Sequence, residues 1–377
     1  MSFKTKEPSS YIDQLTWLRG AAAFFVIVSH TIRATEVKYS LNDEISSFFL
    51  LSLFDLGSFG VVLFFALSGC TLYISNWDKV GYKDLPLFYI KRFFRIWPAF
   101  VVSLAVYIGF GFIFSALYVD PQGHWVEKQF LSQYSIYDIF SYLSFTFNIT
   151  GPAGLFNNAY WSLPVEFQYY IIFPIIVASL RYGIVGPIVL GAVLYLLPNF
   201  IAYSFSAKSV FTLAFSFCGG VLVGYVYKET ELRIKPWLGV ILFIALLSSV
   251  IAIAHSYITL PDIPVVSGKS NWYGGIAVIT VLVVLLTKIN FSHRTEKFLK
   301  HYGTISYSTY LYHNLFIAIA VLFIIRFEIY DSSLRLLITF FFTLITSYLF
   351  ATVSYRYIEK PSIEFCRSLI KKQSKKK

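Results

Sequence analysis

Charge is scarce in this chain: Asp, Glu, Lys and Arg make up 14% of 377 residues, against about a quarter in an ordinary soluble domain. A water-facing globule of this length needs more, so a soluble enzyme is excluded. A polar, low-hydropathy composition is equally lacking, which excludes a disordered chain. Cysteine is sparse: Cys70, Cys218 and Cys366 show no Cys-x-x-Cys spacing. Neither a disulfide framework nor a zinc site is expected. With a single methionine there is no Met-rich adaptable surface. No internal repeat at a fixed period is evident, which weighs against an inverted-repeat transporter.

What is abundant is the complement. Hydrophobic residues make up 57% and aromatics 20%, and the mean hydropathy is +0.65. Apolar runs of about twenty residues have the length that crosses a bilayer's hydrocarbon core. Ten can be drawn, at about 12–33, 48–75, 96–118, 159–180, 183–203, 209–227, 236–257, 271–289, 304–325 and 334–355. They predict an all-α, polytopic transmembrane helical bundle of about ten spans. Pro174, Pro187 and Pro198 are expected to kink the fourth and fifth, which part at Arg181–Gly183.

The formal charge of +11 would point to nucleic acid in a soluble protein, but here the loops explain it. With the N-terminus in the cytoplasm, 23 Lys and Arg fall inside and 7 outside, and Arg19 within the first span completes the 31. Positive residues mark cytoplasmic loops, so both termini are expected inside, with the basic surface touching anionic lipid. No nucleic-acid partner is expected. The first apolar stretch follows Lys4 and Lys6, as in a signal peptide. It is too long, carries Arg19 and ends Ile32-Arg33-Ala34 without a small-x-small site, so a retained helix is expected. The organisation is then residues 1–11, a cytoplasmic segment; 12–358, the membrane domain with an external loop at about 119–158; and 359–377, a basic cytoplasmic tail, disordered over Lys371–Lys377. Within the loop, Val126–Phe147 has the pattern of one interfacial helix.

Ionisable groups inside a span cost at least about 2.5–3.5 kcal/mol on insertion scales, so the few present carry the functional information. Arg19 and His30 are eleven residues apart, which places them on one helix face about 16 Å apart in height. Arg19 lies in the cytoplasmic half and His30 towards the outside. An interhelical pair that only binds the bundle together is the alternative for either. Glu166, in Trp161-Ser162-Leu163-Pro164-Val165-Glu166, is expected at the depth of His30. There it would either orient that imidazole as a base or position an acceptor; capping its helix or pairing with an arginine is the alternative. Asp55 is either at this depth or solvated near the interface. Arg92 and Arg95 are three apart, neighbours on one face, and suit a forked grip on phosphate. A plain topology cluster is the alternative for that pair alone. His313 either contacts a donor's arm or is a satisfied buried histidine. Trp125 and Trp161 are candidates for stacking a sugar. Together these groups suit a phosphorylated donor held at the cytosolic face, with a basic imidazole higher in one continuous polar shaft. A coenzyme A thioester has that shape.

The ordered motifs are Leu15-Thr16-Trp17-Leu18-Arg19-Gly20-Ala21-Ala22 with His30, Phe64-Phe65-Ala66-Leu67-Ser68-Gly69 and Arg92-Phe93-Phe94-Arg95-Ile96-Trp97-Pro98. They continue with Trp161 to Phe167, Ser306-Tyr307-Ser308-Thr309-Tyr310-Leu311-Tyr312-His313 and Tyr355-Arg356-Tyr357-Ile358-Glu359-Lys360-Pro361. In this order they resemble the acyltransferase family 3 integral membrane proteins, over nearly the whole chain. The resemblance implies that Arg19, His30, Arg92 and Arg95 are essential. It also implies an acyl-CoA co-substrate, acetyl-CoA above all, on the cytoplasmic side, and a lipid-linked or polymeric saccharide acceptor at the plasma or inner membrane. Where many members have Asp three residues before the first-helix Arg, this chain has Thr16. Many also carry a C-terminal extracytoplasmic domain; here transfer is expected to finish in the membrane domain or pass to another protein. The expected function is transfer of a short acyl group to a saccharide hydroxyl, with His30 as base, Glu166 assisting, and Arg19, Arg92, Arg95 and His313 on the donor. A transporter or flippase for a lipid-linked saccharide is the rival. A glycosyltransferase is disfavoured by the inner placement of Arg92 and Arg95.

Overall fold

A computed structural model describes residues 9–35, 44–76, 84–118, 126–151, 154–200, 210–259 and 269–374. Among them the chain is helical, and its one β contact is a parallel bridge between Ile234 and Thr287. Each of the ten apolar segments carries a helix. These are α1 (Ser9–Thr35), α2 (Glu44–Asn76), α3 (Leu85–Leu117), α7 (Ser162–Ser179), α8 (Val185–Phe200), α9 (Ala214–Glu229), α10 (Pro236–Thr259), α11 (Lys269–Leu286), α13 (Ser306–Arg326) and α14 (Ser332–Ser354). Among the described residues, seven helical segments are long and apolar enough to cross a membrane, while Val185–Leu197 and Asn271–Leu286 are shorter apolar helices. The architecture is that of a membrane protein.

Helix α2 is central, with α1, α9 and α11 packed around it. Helices in lipid gain little from apolar burial and associate through close packing of small residues. At the α2–α9 crossing a Cβ on Gly220 would lie 2.0 Å from the Ala66 carbonyl oxygen. That atom is backbone and has nowhere to go. Gly220→Val is therefore expected to leave little folded protein, measured as monodisperse yield after detergent extraction, while substitution at Gly109, which faces open space, is tolerated. The break between α7 and α8 falls where expected: a 3-10 turn at Leu180–Tyr182 leads into Gly183 at φ +66, a backbone region that favours glycine. Pro174 sits inside α7, and Pro187 in the first turn of α8, where a missing N–H costs nothing.

Two expectations are corrected and one element is added. The single interfacial helix over Val126–Phe147 is broken into α4 (Glu127–Phe130), α5 (Ile136–Leu143) and the start of α6 (Phe147–Thr150). Ser135 and Asp138 form a reciprocal capping box that starts α5 afresh. Hydrogen bonds from the Ser135 N–H and hydroxyl hold the Asp138 carboxyl below the usual carboxylate range. Between α11 and α13, where nothing was expected, lies an amphipathic helix, α12 (His293–Thr304), capped by Ser292 and tied to α1 by the Lys300–Asp13 ion pair at 2.9 Å. The basic tail is a helix, α15 (Lys360–Ser374), docked on α3 through the Ser362 hydroxyl donating to the Phe94 carbonyl at 2.9 Å. Its last three residues lie outside the described set.

Candidate active site

One polar cavity of about 230 Å³ lies among α1, α2, α3, α7 and α13. Arg19, Arg92, Arg95 and Glu166 all line it, with Ser68, Thr71, Tyr170, Tyr307 and Tyr310. Three cations in one cavity are costly unless held and offset, and each is held differently. Arg19 donates to the Thr71 hydroxyl oxygen at 2.7 Å. That hydroxyl donates in turn to the Leu67 carbonyl at 2.7 Å, so its lone pair faces the guanidinium. Arg95 forms an ion pair with Glu359, a carboxylate only 1% exposed that also accepts from the Ser308 hydroxyl at 3.0 Å. Arg92 is propped between aromatic rings, its guanidinium carbon 5.7 Å from the Phe88 centroid and 5.9 Å from that of Tyr170. Its Nε is buried with no hydrogen-bond partner. Because Arg92 also lines the cavity, this donor is available to an acceptor that enters it.

Glu359 reaches Arg95 because Tyr355–Glu359 is a single π turn between α14 and α15. Pro361 explains the turn: it offers no N–H and crowds the carbonyl four residues back, which loosens the helix locally. In the sequence Glu359 belongs to the last shared motif and opens the basic cytoplasmic tail, and no role is expected for it. An acidic residue just before Lys-Pro, at the head of a mostly basic segment, is the signal that marks it.

Glu166 accepts hydrogen bonds from the Tyr170 hydroxyl and from Ser68 at 3.4 Å. It stands with the arginines and not beside His30. The cause is the chain ahead of α7. Leu155, Phe156, Asn157, Ala159 and Tyr160 are buried, and Asn157 donates to the Leu311 carbonyl at 2.9 Å. This segment dips between the helices, so α7 starts deep and Glu166 lies a turn deeper still. Non-helical backbone at membrane depth is tolerated where protein buries it.

His30 is half-buried, and its Nδ1 lies 2.8 Å from Nε2 of His313 and 3.0 Å from Oδ1 of Asn314. The two imidazole planes lie 26° apart with centroids 5.0 Å from one another, as for rings joined edge to edge. His313 is fully buried. Neither histidine lines the cavity, so the continuous shaft expected from the sequence is interrupted. Tyr310 stands at the break. Its ring lines the cavity, its hydroxyl is 2.6 Å from the Ala159 carbonyl and 2.8 Å from the Ser162 hydroxyl, and its own carbonyl is 2.8 Å from His313 Nδ1. Trp161 packs half-buried against the core. Trp125 and the side chain of Asp55 lie outside the described residues. Among those described, no cluster of His, Cys, Asp or Glu has the makings of a metal site.

The family model for an acyltransferase domain matches residues 12–352. An O-acetyl transferase of Shigella phage Sf6 is 33% identical over 171 residues, 44% of this chain and 46% of that protein. A Staphylococcus aureus (strain COL) protein provisionally named an O-acetyltransferase is 25% identical over 343 residues, 81% of this chain and 52% of its own. The peptidoglycan O-acetyltransferase OatA of Listeria monocytogenes is 30% identical over 121 residues, 31% of this chain and 19% of that protein. The chain spans about half the length of the first two relatives, and less of the third. No solved structure matches.

Proposed function

The chain belongs to the acyltransferase family, and from that membership we propose that it moves an acetyl group from acetyl-CoA to a hydroxyl of a cell-surface or lipid-linked saccharide. The observation that carries the donor is the meeting of Arg19, Arg92 and Arg95 in one cavity, with Arg92 holding a buried N–H to spare. Forked guanidinium donors match phosphate oxygens, and coenzyme A carries phosphates at one end and the thioester at the other. O-acetylation also supplies the names of the relatives. A carrier of saccharides finds no support there.

In this reading His30 takes the proton of the acceptor hydroxyl, whose oxygen attacks the thioester carbonyl. The carbon–sulfur bond breaks, and the imidazolium returns the proton to the departing thiolate. The contact of Tyr310 with Ser162 and Ala159 has to open for the thioester to reach His30, a gating motion of the kind that often limits turnover. Glu166, in the arginine cluster, offsets its charge and steers the donor. His313 acts on His30 and not on the donor arm. In this reading the protein lies in the cell membrane with ten spans and both termini cytoplasmic, an orientation that the 23-to-7 distribution of Lys and Arg supports.

The test is chemical. Surface glycan from source cells lacking the gene should lose ester-linked acetyl groups and regain them on complementation; unchanged ester content would sink the reading. Arg92→Ala is expected to raise the KM for acetyl-CoA by about 10–100-fold, since a hydrogen bond to a charged group contributes about 1.5–3 kcal/mol. Free-thiol release in membranes carrying their own acceptor measures it.

A further inference from the structure

The hydrogen bonds around His30 can be followed back to backbone groups whose roles are fixed. The Ala159 N–H can only donate, and it does so to Oδ1 of Asn157 at 2.9 Å. The amide of Asn157 is thereby oriented, and its Nδ2 donates to the Leu311 carbonyl at 2.9 Å. Its Oδ1 also receives Nδ2 of Asn314 at 2.7 Å, which turns the Asn314 oxygen towards His30 at 3.0 Å. A second chain starts from the Tyr310 carbonyl, which can only accept, and it takes the Nδ1 proton of His313 at 2.8 Å. The neutral ring of His313 then presents its Nε2 lone pair to His30 Nδ1 at 2.8 Å. Two acceptors, oriented independently, converge on one nitrogen. That nitrogen must carry a proton.

We infer that Asn157, Asn314 and His313 are positioning residues that lock His30 as the Nδ1–H tautomer and leave the lone pair on Nε2. This rests on the reading of His30 as the base, and it names the atom that takes the acceptor's proton. Both asparagines and His313 are at most 1% exposed, so water does not compete for these bonds. The inward dip of residues 155–160 acquires a purpose: it carries Asn157 from the loop to the helix α13 that bears Asn314. A fixed tautomer is worth a great deal to a base. In the serine-protease triad, holding histidine in the wrong one costs about 10⁴ in kcat.

The full chain, labelled with ¹⁵N-histidine and reconstituted in lipid, reads the tautomer directly. The His30 signals, identified by their loss in His30→Ala, should show a protonated Nδ1 and an unprotonated Nε2 at neutral pH. Protonation on Nε2 would overturn the inference whatever the activity. Asn157→Leu frees the Asn314 amide to rotate, so the Nδ1–H population should fall and kcat drop about 10-fold or more with the KM for acetyl-CoA unchanged. Asn157→Ser keeps an oxygen for the Ala159 and Asn314 donors, and it should restore the tautomer in part. If either variant shifts KM and kcat together while the spectrum is unchanged, the role is structural and the inference fails. The two levels separate cleanly: full ester yield in His30→Ala removes the base, whereas loss of ester there with an Nε2–H ring in the parent removes only the positioning.

Discussion

His30→Ala is expected to lower acetyl transfer by about 10²–10⁴, the range for removal of a general base. Retention of more than about a tenth of the parent rate, at equal protein in the membrane, would mean the base lies elsewhere. Folding has to be kept apart from chemistry, because the imidazole is half-buried and two neighbours depend on its proton. Removing it leaves the Asn314 oxygen and His313 Nε2 unpaired, and each buried unsatisfied acceptor costs about 1–3 kcal/mol. His30→Gln is the control. A glutamine amide can donate to the same acceptors but cannot take a proton at neutral pH, so it should hold the fold and lose the rate almost as fully as alanine. Ester content of surface glycan reports the first quantity and detergent-extracted yield the second. Binding of acetyl-CoA should be little changed in both variants, since His30 does not line the arginine cavity.

The parts of this site that were legible in the sequence are those set by local geometry. Arg92 and Arg95 are three apart on a regular helix, and Arg19 is an ionisable group that topology does not account for; spacing and insertion cost are enough to pick out all three. Depth was harder. Counting from a helix end at the membrane surface puts Glu166 level with His30, but residues 155–160 dip inward and start α7 deep. No periodicity announces such a dip, because its residues are chosen for buried polar partners and not for a repeat. Glu359 was missed for a related reason. A π turn aims a side chain in a direction that a count of 3.6 residues per turn does not give. The capping box at Ser135 and Asp138, by contrast, was open to reading from the Ser-x-x-Asp spacing.

Glu359→Ala is expected to cost about 3 kcal/mol of stability, near the low end for breaking a buried ion pair. The low end applies because the Arg95 side chain is 30% exposed towards the cavity, where water softens the loss. Alanine would leave the Arg95 charge beside Arg19 and Arg92 with no carboxylate in contact, and the Ser308 hydroxyl without its acceptor. Thermal unfolding of the full chain in detergent should register the drop. A merely poor fit at position 359 predicts the same drop, so the decisive comparison is the pair. In Arg95→Met with Glu359→Leu both charges go, and removing a whole buried pair is commonly neutral or stabilising. That double variant should melt well above Glu359→Ala while binding acetyl-CoA more weakly than the parent. Adding coenzyme A should rescue part of the Glu359→Ala loss, because an anion bound to the folded state raises its stability by mass action and its phosphates can stand in for the missing carboxylate. If the double variant melts as low as the single, Glu359 supports the fold through packing, and the view that it holds Arg95 ready for an anion is wrong.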